Sequence, residues 1–266
     1  MRYFTFILFA ISLSACAATK AVFAMMKSTD EFHSLSSDNR IKYESGAPLD
    51  ARIVSADLNR AIHKIETRQY GKFVKSVIIY LPGTIKSFAS FCASEKAGGC
   101  VMNSRLFLSP KKQNTPNRIP KVLAHELSHL QMQQILGMWK WHENAPAWFR
   151  EGLAVYASDG GGAEGVSPIQ AKQAIISGHS FIPNDSGRLL FPKTAHAYRL
   201  KPHMFYKQAG LFVSWLHQSD NEKFKKLILA LQAGVPFKEA MQKSYGSSAR
   251  QNWEKFVWEL KKPRHA

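Results

Sequence analysis

Residues 122–132 read VLAHELSHLQM, and within this apolar and amide-rich run stand His125, Glu126 and His129. Imidazoles and a carboxylate are costly to bury on a packed helix unless something partners them. Positions i and i+4 share one face of an α-helix, so His125 and His129 can turn toward a single point. Imidazole nitrogen suits a zinc ion, and Glu126, one residue on, projects beside such an ion rather than onto it. A carboxylate there can take a proton from a water held on the ion.

The spacing is the HExxH arrangement of zinc-dependent peptidases, and its third ligand decides the class. A catalytic zinc site uses three protein ligands and keeps one position open. The order HExxHxxGxxH needs glycine at position 132 and histidine at position 135. The chain has Met132 and Ile135, which excludes that class. The other solution draws a glutamate from a second helix. Glu151, in AWFREGLAVY (147–156), is such a residue, with Ala147 and Ala154 at i−4 and i+3 to let two helices approach. The competing reading pairs Glu151 with an arginine and leaves both histidines as core residues. The zinc reading is preferred because His125, His129 and Glu151, with Glu126 to spare, complete a ligand set and a base.

These groups need elements to hold them. Leu49, Ile53, Leu58, Ile62 and Ile65 recur near one helical face. SVIIYLPG (76–83) is a β-branched run ended by Pro-Gly, hence a buried strand. TIKSFASFC (84–92) suits a short helix, and VMNSRLFLS (101–109) a second strand. Pro120 fits the first turn of the motif helix, where a missing N–H costs nothing. Residues 159–202 read as a long irregular insert, and 203–266 as a series of helices with Gly234 and Gly246 at their C-caps. Residues 17–48 show no sustained period and read as a tether.

Composition places the chain among ordinary globular proteins, with 45% apolar and 21% charged residues, but its formal charge of +17 favours anionic surroundings. A generally basic solvated surface is the plain reading of the scattered lysines and arginines. No nucleic-acid partner is expected, because no basic stripe is interleaved with exposed aromatics.

The amino terminus indicates the compartment. Met1-Arg2 precedes FTFILFAISLSA, an apolar run too short to span a bilayer, so residues 1–15 read as a signal peptide. It ends in Leu13-Ser14-Ala15-Cys16, similar to the lipobox of bacterial lipoproteins. That resemblance implies cleavage before Cys16, a lipid on its thiol and, with Ala17 following, sorting to the outer membrane. Simple cleavage near Ala15 to Ala18 and release into the periplasm is the alternative. With Cys16 lipidated, Cys92 and Cys100 remain as one pair across CASEKAGGC, expected as a disulfide in an oxidising periplasm. Zinc at that pair is disfavoured because two cysteines without a nearby histidine supply too few ligands.

AHELSH (124–129), PAWFREGLAVY (146–156) and FYKQAGLFVSWL (205–216) together resemble the peptidase MA-like gluzincin family of bacterial periplasmic proteins and lipoproteins. The likeness runs over roughly residues 50–262. It implies an α+β, zincin-like fold: a catalytic subdomain (49–158) with a small β-sheet and the HExxH helix, then the 159–202 insert, then a helical subdomain (203–266). It implies one Zn2+ held by His125, His129 and Glu151, with Glu126 as general base. Tyr206, where the family motif has a tyrosine, would stabilise the oxyanion; His203 is the runner-up, and a plain packing role for Tyr206 stays open. RLFLS resembles the edge strand on which such peptidases lay extended substrate, against the alternative of an interior strand. His142, Glu143 and Asn144 read as an exposed loop, with support of the site as the alternative. His179, His196 and Tyr198 are candidates to line the cleft, and MWKWH (138–142) reads as core.

The expected function is hydrolysis of peptide bonds in peptide or protein substrates, by a periplasm-facing protein anchored to the membrane through Cys16. The alternative is a non-catalytic zincin-fold envelope lipoprotein that binds an anionic partner through its basic surface. An intact Glu126 argues against it, since a scaffold has no use for a base beside the ion.

Overall fold

The computed structural model describes residues 23–112, 118–187 and 192–262. The expected signal peptide and Cys16 lie outside the described residues. The chain is mixed α+β and mostly helical, and it divides into two compact units. One holds the described residues up to Asp57 together with Ser76–Ile119, and the other Leu58–Lys75 together with Pro120 onward. Helix α1 (Pro48–Arg68) begins in the first and ends in the second.

The first unit is built on a five-stranded sheet: β1 (His33–Leu35), β2 (Asp38–Tyr43), β3 (Ile79–Leu81), β4 (Gly99–Met102) and β5 (Arg105–Leu108), in the order β1-β2-β3-β5-β4. β2, β3 and β5 run parallel, while β1 and β4 pair antiparallel to their neighbours. Three expectations change here. Residues 33–43 are not tether but a hairpin; only Ile41 in it is buried, so the apolar alternation that marks a strand is missing. VMNSRLFLS is not one strand but two, joined at Asn103 and Ser104, both left-handed (φ 50° and 57°) as tight hairpin turns demand. β5 is interior, between β3 and β4, so RLFLS offers no free edge.

Helix α2 (Ile85–Cys92) starts at Thr84, whose hydroxyl accepts from the Ser87 N–H. It packs Phe88, Phe91 and Cys92 against Phe32 and Phe107, with the Phe91 and Phe107 rings stacked at 4.7 Å. Cys92 and Cys100 form a disulfide, Cα to Cα 5.9 Å, that fastens α2 to β4.

The second unit is helical: α3 (Ile119–Leu136), α4 (Met138–Asn144), α5 (Ala147–Ala157), α6 (Pro168–Ile176), α7 (Pro202–Ser219), α8 (Asn221–Gln232), α9 (Phe237–Tyr245) and α10 (Ala249–Lys261). The motif helix α3 therefore groups with the C-terminal helices and not with the sheet, contrary to the expected subdomain division. An aromatic core of Trp148, Phe181, Phe212, Trp253 and Phe256 binds α5, α7 and α10 together. The insert is not wholly irregular. Ser167 and Gln170 form a reciprocal capping box and Pro168 opens α6, so local signals start a helix where the long loop was expected.

The amides of the motif helix have a structural use. Gln69 donates to Gln131 Oε1 at 2.6 Å and accepts from the Ser128 hydroxyl at 2.7 Å, while Gln131 donates to the Gly71 carbonyl at 2.8 Å. This buried network ties α3 to the end of α1. Among the described residues no helix is long and apolar enough to cross a membrane.

Candidate metal centre

His125 and His129 lie one turn apart on α3, their Nε2 atoms 3.2 Å from each other and their rings edge-on at 4.9 Å. Glu151, on α5, brings Oε2 to 3.5 Å from His125 Nε2 and 3.6 Å from His129 Nε2. The three ligand atoms fall within 4.8 Å of one another, and no other cluster among the described residues does so.

A loop after α5 orients the first histidine. His125 Nδ1 is 2.8 Å from the Gly161 carbonyl oxygen, which can only accept, so the proton resides on Nδ1 and Nε2 presents its lone pair to the cluster. Gly162 has φ +76°, and a Cβ on it would stand 2.8 Å from His125 Cε1. The Gly161 N–H is itself held by the Ser158 hydroxyl at 2.9 Å. No feature of the sequence pointed to this support. A backbone carbonyl has no side-chain signature, and the run of glycines after Ser158 was the one available cue.

The electrostatics favour positive charge at the centre. Burial pushes the Glu151 carboxyl up, but His129 and the contacts from both imidazoles outweigh it and hold the group far below the usual carboxylate range. Burial pushes His125 down, and Glu151 with Glu126 more than reverses this, leaving it raised. Two imidazole nitrogens and a carboxylate, converging and tuned to hold a cation, fit a zinc ion.

Glu126 is 8% exposed and its carboxylate makes no hydrogen bond among the described residues. Burial raises its pKa, partly countered by His125 and His129. A carboxylate that is left unpaired and made more basic is prepared to accept a proton.

Tyr206 lies beside the cluster, its ring 6.3 Å from that of His125. Its hydroxyl has no hydrogen-bond partner among the described residues. The Glu151 charge, burial and the Glu126 charge raise its pKa, so the phenol stays protonated. His203, the runner-up, is exposed and rests against Gly165.

The close helix crossing is α5 on α7, not α5 on α3 as the small residues Ala147 and Ala154 suggested. A Cβ on Gly152 would meet the Ala209 carbonyl at 2.7 Å, and one on Gly210 would strike the Val155 side chain. Two glycines thus let α7 lie against α5, which carries Tyr206 to the Glu151 side.

The remaining candidates are dispersed. His142, Glu143 and Asn144 are in a helix, not a loop; Asn144 donates to the Gly234 carbonyl at 2.9 Å. His142 is pushed down to about 3 by burial and by the nearby charges of Arg150 and His129. His179 and His196 are exposed outside the cluster, and the Tyr198 hydroxyl donates to the Ile182 carbonyl. Trp141 is core but Trp139 is exposed, so MWKWH is only half interior.

No family model matches the sequence, and no curated protein matches it. Among solved structures, the fold is similar to a crystal structure of a mutant M1 zinc metallopeptidase from Deinococcus radiodurans, at 16% identity and a TM-score of 0.50. The match covers 84% of this chain and 49% of the other, so this chain spans about half the length of that neighbour. The likeness shows a fold shared with a zinc metallopeptidase, and within that fold this chain brings His125, His129 and Glu151 together.

Proposed function

We propose that the chain is a zinc-dependent peptidase of the gluzincin type, working in the bacterial cell envelope. The observation that carries the reading is the convergence of His125, His129 and Glu151 with Glu126 beside them and without a hydrogen-bond partner among the described residues. Cys16 would supply the membrane anchor and the periplasm the disulfide-permitting surroundings.

Zinc, when bound, supplies a Lewis acid that polarises the scissile carbonyl and acidifies water. Gly161 keeps the His125 imidazole in the Nδ1–H tautomer. Glu126 takes one proton from the attacking water, holds it on its carboxylate, and delivers it to the nitrogen of the leaving amine. Its raised pKa suits both transfers. Tyr206 donates its hydroxyl to the oxyanion that develops on the former carbonyl; that this hydroxyl has no partner among the described residues supports it as the donor ahead of His203.

The test is hydrolysis of a broad peptide library by the full chain. Activity should disappear with 1,10-phenanthroline and return with added zinc. Hydrolysis that survives the chelator would count against the reading.

A further inference from the structure

Arg150 stands next to Glu151 on α5 and is 8% exposed. An arginine that far from water ordinarily faces a carboxylate, because its charge is permanent and costly to isolate. Arg150 forms no ion pair among the described residues. Its one side-chain hydrogen bond runs from Nη1 to the His142 carbonyl, at 3.1 Å. None of its nitrogens is both sealed from solvent and partnerless, so the donors left over keep some contact with solvent. Its charge is felt at Glu151, His142 and Tyr206, all grouped about the metal-binding residues.

We propose that Arg150 determines substrate specificity by binding a carboxylate carried by the peptide, either its free C-terminus or an Asp or Glu side chain. The proposal rests on the peptidase reading for the identity of the ligand. A guanidinium fork matches a carboxylate with two parallel N–H···O bonds, and a site poor in water makes that pair strong. A neutral peptide offers the guanidinium no opposite charge. The chain's strongly basic balance draws such substrates in the same direction.

Three probes separate the sources: acetylated tetra-alanine as free acid, as its C-terminal amide, and as the amide with one aspartate. Binding is measured by calorimetry on the full, zinc-loaded Glu126→Gln chain, and cleavage on wild type. At least one acidic probe should bind about 30-fold or more tighter than the neutral amide. The free acid alone marks C-terminal recognition, and the aspartyl amide alone marks side-chain recognition. Adding Arg150→Gln should erase the preference with zinc content unchanged. Should that variant fail to fold, Arg150→Lys, which keeps the charge but not the fork, should retain only part of it. Equal binding of all three probes, or a preference that survives loss of the guanidinium, overturns the proposal. Cleavage of all three probes at equal rates would leave the peptidase standing and remove the specificity. Arg150-dependent binding without any cleavage would do the reverse.

Discussion

His125 Nδ1 lies 2.8 Å from the Gly161 carbonyl oxygen, so a backbone group 36 residues away in sequence selects which imidazole nitrogen faces Glu151. The contact depends on a bare backbone at Gly162, where a Cβ would press on the imidazole. Gly162→Ala should therefore weaken zinc binding by about 10- to 100-fold, the usual cost of losing a supporting contact to a metal ligand. Competition with a chelator measures it. Gly137→Ala is the control, since Gly137 has a similar φ of +78° with nothing within 4 Å of an added Cβ. Equal losses in the two variants would reduce the effect to backbone strain.

Tyr206→Phe removes a hydroxyl that has no other partner among the described residues. It should keep zinc and fold while lowering kcat by about 100- to 1,000-fold, the range for deletion of an oxyanion donor. Because the Glu151 charge, burial and the Glu126 charge keep the phenol protonated, wild type should show no alkaline loss of rate from this residue at ordinary working pH. A full-rate Tyr206→Phe would return Tyr206 to a packing role and bring His203 forward.

Acid should destabilise the zinc-free protein partly through His142. An unfolded imidazole titrates near about 6.5, whereas burial and the charges of Arg150 and His129 bring the folded one to about 3. Between those values the unfolded chain holds a proton that the folded chain lacks, so stability rises with pH across this window and falls on acidification. His142→Asn should flatten the urea-midpoint profile of the zinc-free protein in that window. Unchanged slopes in the variant would place the acid sensitivity elsewhere.

Cys92 and Cys100 close a short loop within the sheet-bearing unit, while every proposed zinc ligand belongs to the other unit. Replacing both by serine should cost about 2–4 kcal/mol of stability. Zinc stoichiometry should be unchanged. Denaturant melts and metal analysis on the same preparation check both halves of the statement.

The centre was legible where chemistry repeats with the helical period. His125 and His129 at i and i+4, and a lone glutamate in AWFREGLAVY, needed only helix geometry and the ligand count of zinc. What escaped lay in the backbone or on the surface. The β1–β2 hairpin leaves all its strand side chains but Ile41 at least partly exposed, so only Ile41 marked it as structure. Asn103 and Ser104 turn the chain within what looked like one continuous strand. Gly161 acts through its carbonyl, and Arg150 stands out through having no ion pair among the described residues, which no residue type announces. The close helix approach expected from Ala147 and Ala154 lies instead at Gly152 and Gly210, where α7, distant in sequence, packs on a different face of α5.

The central claim is that Glu126 acts as a base beside a zinc held by His125, His129 and Glu151. Zinc content and peptide-library hydrolysis, measured on the same preparations of wild type and Glu126→Gln, test it most directly. About one zinc per chain is expected in both proteins, with hydrolysis in wild type and none detectable in Glu126→Gln. Equal hydrolysis by the two, or a wild type that binds no zinc, would contradict it.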